Sequence, residues 1–201
     1  MRIIPQSVSL EFITPNAAQF IERIGRTCYK SEEKITEGSA DKFVKMLLNR
    51  GHHAMIEHAY ATFRVVCDRG VSHEFVRHRI FNYAQESTRY CNYSKSKFGN
   101  EVTVIQVPLS KPGAQEVWEA ANQFSEMSYF KLLELGEPPE IARSVLMTDL
   151  KTELVGTANF REWRHFIALR TAPAAHPQMR EVAGLIFDTL MRECKVCFED
   201  I

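Results

Sequence analysis

With 25 lysines and arginines against 25 aspartates and glutamates over 201 residues, the chain carries no net formal charge, which argues against binding a long polyanion by counterion release. Hydrophobic residues at 45% and charged residues at 25% are ordinary for a globular protein, and no run approaches the roughly 20 apolar residues of a membrane span. Pro5 and Pro15 break the first fifteen residues, so no signal peptide is visible, and an odd count of five cysteines fits reduced thiols in a cytoplasm.

Residues 3–13 alternate, with Val8, Leu10 and Phe12 on one side, and read as a strand. Asn16 stands where an N-cap is expected. The helix after it, to about Arg26, has Ala17, Phe20, Ile21 and Ile24 for its buried side. Ser39 or Asp41 opens a second helix that closes near Gly51. The next eight residues, Gly51-His52-His53-Ala54-Met55-Ile56-Glu57-His58, invite a metal. They lack the H-E-x-x-H spacing that sets two ligands on one helical face. Residues 60–67 alternate and are rich in β-formers, which predicts a strand, and Gly70 breaks it. Val71, Phe75 and His78 recur at helical spacing. A helix over 71–80 would make Glu74 a neighbour of Arg77 and His78.

The chain is then expected to loop after Arg79, with residues 94–101 exposed and 102–107 a short strand. Pro112 and Gly113 precede a long helix in which Val117, Ala121, Phe124, Met127, Phe130 and Leu133 form an apolar stripe, read as core. Gly136 ends it, and Pro138-Pro139 starts another helix. Residues 150–158 alternate as a strand, and Asn159 with Glu162 has the spacing of a capping box. Arg170 falls on the apolar face of the following helix, beside Trp163, Phe166 and Ile167, where a cation needs a polar partner. No acid close in sequence supplies one. The last helix, from about Pro177, packs through Met179, Val182, Ile186, Leu190 and Cys194. Cys194-x-x-Cys197 lacks the second pair that zinc wants and reads as packing. With no repeat and no low-complexity linker, the expectation is one α+β domain over residues 1–201, a mixed or antiparallel sheet flanked by helices.

Chemistry concentrates between Arg77 and Tyr90, R-H-R-I-F-N-Y-A-Q-E-S-T-R-Y. Each arginine offers a planar fork of donors that matches phosphate oxygens in pairs. Three forks beside amides and hydroxyls suit a phosphorylated, planar ligand. Two other readings are open. One is a single-stranded RNA-binding module stacking bases on Phe81, Tyr83 and Tyr90, which the neutral charge disfavours. The other is a metal hydrolase built on the histidines around His52, which the ligand spacing disfavours. No G-x-G-x-x-G follows a strand, so a Rossmann dinucleotide site is not expected.

Arg77-His78-Arg79, seven residues, Ser87 and Arg89 spell R-H-R-x7-S-x-R, which closely resembles the signature of the flavin-dependent thymidylate synthases. Arg26-Thr27-Cys28-Tyr29, Gly51-His52 through Glu57-His58, and Ala142-Arg143-Ser144 resemble further blocks of that family in order. The resemblance implies FAD-dependent methylation of dUMP to dTMP, with 5,10-methylenetetrahydrofolate as carbon donor and NADPH as reductant. It also implies a homotetramer with FAD sites between subunits, and neither a nucleic-acid nor a membrane partner. By the same resemblance His52, Glu57, Arg77, His78, Arg79, Gln85, Asn159, Arg161 and His165 would bind FAD. The dUMP contacts would be Glu74, Phe75, Val76, Arg77, Gln85, Glu86, Ser87, Thr88, Arg89, Arg143 and Arg170, with Arg170 the catalytic group at the uracil. No metal is implied and no catalytic cysteine. Ala54, Glu74, Gln85 and His165 depart from the family pattern; an amide at Gln85 cannot serve as a base at neutral pH.

Overall fold

The computed structural model describes residues 1–201. Its secondary structure is α+β. Strand β1 (Arg2–Ile4) pairs in parallel with β5 (Thr103–Ile105). Four further strands form a sheet in the order β2 (Ser7–Ile13), β3 (Tyr60–Asp68), β6 (Lys151–Asn159), β4 (Asn82–Gln85). Strands β3 and β6 run antiparallel, as the pairings Ala59 with Phe160, Thr62 with Thr157 and Arg69 with Leu150 show. Alternate residues of β3, Ala61, Phe63, Val65 and Cys67, are wholly buried, the period of two that the sequence carries.

The strand expected over 3–13 is two strands, interrupted at Pro5 and Gln6. Proline has no N–H to give a ladder, and the segments on either side of it pair in different sheets. Phe12, expected on the apolar side, is exposed. Helix α1 (Ala17–Thr27) and helix α2 (Ser39–Asn49) stand where the apolar spacing put them. Asn16 does not cap α1 through its side chain; it takes a left-handed backbone, φ 49°, which asparagine tolerates better than most residues.

The chain divides into two compact units. One holds Met1–Ser7, Val66–Phe75 and Ala84–Leu154; the other holds Val8–Val65, Val76–Tyr83 and Val155–Ile201. In the first, Tyr93, Val102, Val104, Tyr129, Ala142 and Leu150 form the core. Helix α4 (Ala114–Glu134) and the short α5 (Pro139–Ala142) belong to it. The stripe expected to face this core is split: Phe130 and Leu133 pack against it, but Val117 is 72% exposed, Phe124 71% and Met127 67%. The helix also turns polar groups inward beside Trp118, Phe130 and Leu133. Asn122 Nδ2 donates to Asp149 Oδ2 at 2.7 Å and Ser125 Oγ to the Val145 carbonyl at 2.7 Å. The Tyr129 hydroxyl accepts from the Tyr93 N–H at 3.3 Å. Periodicity marks which residues share a face and says nothing of what covers it.

In the second unit, α6 (Phe160–Arg170) and α7 (Pro177–Cys194) pack together. Trp163 is fully buried, its ring edge-on to Phe63 at 5.1 Å and Phe81 at 4.6 Å, with its indole N–H donated to the Ala61 carbonyl. Buried aromatic edges and a satisfied indole hold α6 in place, and with it Arg161, Glu162, His165 and Arg170, which α6 carries.

Candidate active site

Helix α3 (Arg69–Phe75) begins two residues earlier and ends five earlier than the spacing predicts. Asp68 Oδ1 accepts the Val71 N–H at 2.6 Å, an N-cap that places Gly70 in the first turn, where it breaks nothing. Past Phe75 the chain leaves the helix, and the His78 carbonyl, which a continuing helix would use, accepts from the Tyr83 hydroxyl at 2.8 Å. Glu74 therefore does not share a helix with Arg77 and His78. Residues 82–85, expected as loop, form β4.

This turn sends the motif's side chains two ways. His78 goes inward, 5% exposed, while Arg77 and Arg79 are exposed and no carboxylate lies within ion-pairing distance of either. The His78 ring packs against Phe166 at 4.9 Å. Its Nδ1 lies 3.4 Å from Glu162 Oε1, and Arg170 Nε donates to its Nε2 at 3.0 Å. Those contacts select the Nδ1–H tautomer. Burial, then the Arg170 guanidinium, then His165, push the His78 pKa down from 6.5 to about 4, so the ring is neutral at pH 7. Burial also raises the Glu162 carboxyl, against His165. Arg170 thus has a protein partner, His78, that lies 92 residues away in sequence, where the sequence offered only a ligand.

Asn159 Oδ1 accepts the Glu162 N–H at 2.9 Å and so caps α6. The reciprocal arm of the expected capping box is not made by the Glu162 carboxylate, which turns to His78. Glu57 and Arg161 pair at 2.5 Å. A cleft of about 510 Å³ opens among Glu57, Ile80, Asn159, Arg161, Glu162 and His165. His52 lies elsewhere in this unit, in a mostly apolar cleft of similar volume with Gly25, Cys28, Tyr29, Phe43 and Met55. The Gly51–His58 and Arg26–Tyr29 blocks thus meet in one hollow. Gly25 is needed there, because a Cβ would stand 2.6 Å from the Phe43 ring. The exposed forks of Arg77 and Arg79 offer donors in the geometry that phosphate accepts, and both clefts are open hollows of ligand size.

The first unit gathers the rest. Arg143 Nη1 donates to Thr88 Oγ1 at 2.8 Å, and its Nε donates to the Glu140 carbonyl at 3.2 Å. Arg89 Nε pairs with Glu140 Oε2 at 2.7 Å, and the Arg89 N–H donates to Ser87 Oγ at 3.3 Å. Ser87, Thr88, Arg89 and Arg143 thus share one patch, though Thr88 and Arg143 are 55 residues apart. Glu86 pairs with Lys151 at 2.9 Å, and Lys151 also pairs with Glu153 at 2.9 Å. Burial opposes the Lys151 charge, but Glu153 and Glu86 outweigh it and hold the ammonium above its usual range. Gln85 Nε2 donates to Ser72 Oγ at 3.0 Å and Thr152 Oγ1 at 3.3 Å. The Phe75 side chain is wholly buried, which leaves its backbone as what it can offer a ligand, and Val76 is exposed. Cys91 is a poor nucleophile, since burial and then Glu86 raise its thiol.

Glu140, Lys151 and the Glu162–His78 contact escaped the sequence reading. Lys151 sits at an ordinary position of an alternating strand, and Glu162 was accounted for as a cap. Partners 65 and 84 residues apart leave no local signal. His52, His53, Glu57 and His58 do not assemble as ligands; the grouping with ligand spacing is His78, Glu162 and His165, within 4.8 Å. There His78 Nε2 already accepts from Arg170, and a cation alongside opposes a metal ion.

Residues 9–194 match the thymidylate synthase complementing protein family. A flavin-dependent thymidylate synthase of Mycobacterium sp. (strain KMS) is 30% identical over 98% of this chain and 85% of its own length. That of Geobacter sulfurreducens is 32% identical over 85% of this chain and 75% of its own. A crystal structure of a UMP/dUMP methylase, PolB from Streptomyces cacaoi, bound with 5-Br dUMP, superposes with a TM-score of 0.81. It covers 99% of this chain and 96% of its own at 24% identity, a likeness of fold. The fold is α+β, and the arginine-rich motif lies within the matched residues. The chain belongs to the flavin-dependent thymidylate synthase family, and it is a methyltransferase.

Proposed function

We propose that this enzyme converts dUMP to dTMP by FAD-dependent reductive methylation, with 5,10-methylenetetrahydrofolate giving the carbon and NADPH the electrons. The observation that carries the reading is R-H-R-x7-S-x-R, from Arg77 to Arg89, within a chain that matches the family over residues 9–194. Ser87, Thr88, Arg89 and Arg143 hold the dUMP phosphate, with Gln85 and Glu86 beside them. Charge-assisted forks of this kind recognise phosphate in pairs of bonds. Glu74, the Phe75 backbone and Val76 lead into the motif on the nucleotide side. Arg77 and Arg79 grip phosphate oxygens, and His52, Glu57, His78, Asn159, Arg161 and His165 line the flavin. Bound FAD supplies the hydride that completes the methyl group.

Arg170 acts at the uracil. A guanidinium held in a partly buried position stabilises negative charge on the ring as C5 becomes nucleophilic, and neutral His78 holds that guanidinium without neutralising it. The active form is a homotetramer, with the exposed apolar face of α4 available for subunit contact. It works in a cytoplasm, where its thiols stay reduced.

The test is purification followed by an absorption spectrum and an assay of dTMP formation, omitting the folate, NADPH and dUMP in turn. Bound flavin and a requirement for all three are expected. Arg79→Ala should lower flavin occupancy about tenfold or more, since a charge-assisted contact is worth about 1.5–3 kcal/mol. Colourless protein that binds no added FAD and makes no dTMP would overturn the reading.

A further inference from the structure

Helix α7 ends at Cys194, and a 3₁₀ turn, Lys195–Cys197, comes directly after it. Side chains three apart in such a turn nearly eclipse. The Cys194 and Cys197 sulfurs stand 3.3 Å apart, both buried. Around them no third ligand completes a metal set, since the grouping of ligand spacing in this chain is His78, Glu162 and His165. The two thiols differ in access. Cys194 borders a surface cleft of about 400 Å³ that includes Asn16, Ala18, Asp41, Glu193 and Lys195. Cys197 lies behind it with no exposed surface.

They differ in acidity as well. The Cys197 thiol, together with backbone N–H groups of Cys197 and Ala18, holds Cys194 below the usual thiol range, against burial and the Asp41 carboxylate. The Cys194 sulfur and burial push Cys197 up. The accessible sulfur is therefore the one that ionises, and the thiolate is the reactive form. The buried sulfur keeps its proton and is placed to resolve what forms on the first.

We propose that Cys194 and Cys197 are a redox-active dithiol that hydrogen peroxide converts, reversibly, to an intramolecular disulfide. The Cys194 thiolate attacks one peroxide oxygen and the O–O bond breaks. The departing hydroxide takes the proton that Cys194 had lost and leaves as water, so Cys194 becomes a sulfenic acid. The Cys197 sulfur then attacks the Cys194 sulfur, and the S–O bond breaks. A second water leaves with the Cys197 proton. The dithiol loses two electrons and one peroxide is reduced to two waters. Closing the gap from 3.3 Å to the roughly 2.05 Å of a disulfide needs little more than rotation of two adjacent side chains. No step depends on flavin or nucleotide binding.

The experiment uses the whole reduced protein. Hydrogen peroxide is titrated in, remaining thiols are alkylated under denaturing conditions, and unreduced peptides are mapped by mass spectrometry. The peptide holding Cys194 and Cys197 should lose two hydrogens and take no alkyl group. Dithiothreitol should restore both alkylation sites. Buried Cys67, its thiol pushed up to about 12, should stay alkylatable throughout. In Cys197→Ser, Cys194 should stop at the sulfenic acid and be captured by dimedone. Full alkylation of both residues at peroxide levels that oxidise exposed Cys28 would overturn the proposal. So would a sulfinic acid on Cys194 of the wild-type protein with no cross-link.

Discussion

Arg170 lies half-buried at the last position of α6, with its Nε donated to His78 Nε2. That bond orients the guanidinium, and α6 presents it beside the cleft of Glu162 and His165. Arg170→Ala should leave FAD bound, weaken dUMP binding and cut dTMP turnover about a hundredfold or more, the usual cost of losing one preorganised charge stabiliser. Near-normal turnover with only a lower melting temperature would reduce Arg170 to a helix-end cation, worth about 0.3–1 kcal/mol. His78 gives a pH prediction. Its folded pKa, about 4, lies below the unfolded value of 6.5, so between these values the unfolded chain binds more protons. The stability from a neutral His78 is complete above pH 6.5 and is lost as pH falls towards 4. Urea midpoints from pH 7 to 4 should fall more steeply for the wild type than for His78→Gln. Parallel profiles would show that His78 is not the group responsible.

At the scale of elements, α4 and α3 show two ways in which spacing misleads. The α4 stripe is a sound amphipathic pattern, yet Val117, Phe124 and Met127 point outward while Asn122, Ser125 and Tyr129 bond inward. The exposed large apolar side chains on this 21-residue helix are the surface that the proposed homotetramer would use for subunit contact. Phe124→Asp should therefore shift the molar mass measured by light scattering towards the monomer, with little loss of monomer stability. An unchanged oligomer would remove α4 from the subunit contact. In α3 the apolar spacing of Val71, Phe75 and His78 runs past the true helix end. His78 is buried, as that spacing implies, but by a turn tied down by Tyr83 and Glu162.

For the whole molecule, the chain passes between its two compact units five times, and those passages fall within β2, β3 and β4, beside α3, and within β6. Four strands that each contribute residues to both units cannot be cut from either without breaking a ladder. The expectation of a single domain over 1–201 therefore becomes a prediction of one cooperative transition. Far-ultraviolet circular dichroism and tryptophan fluorescence should report the same urea midpoint. Two separated midpoints would mean that the units unfold independently. No helix is long and apolar enough to cross a membrane.

Local order was legible in the sequence because its causes are local. The alternation of residues 60–67, the apolar spacing of α1, α2 and α7, and the Asn159 cap of α6 each act over a few residues, and each stands where it was expected. The R-H-R-x7-S-x-R spacing pointed to the family for the same reason, since the motif is continuous in the chain. Everything that joins distant segments was decided by the tertiary fold: the His78–Glu162 and His78–Arg170 contacts, Arg143 on Thr88, Lys151 on Glu86, and Glu140 beside Arg89. So were the direction of the α4 stripe and the early end of α3. A side chain's charge and polarity are written in the residue, but its partner, and with it its desolvation and pKa, depends on which segments the sheet and helices bring together.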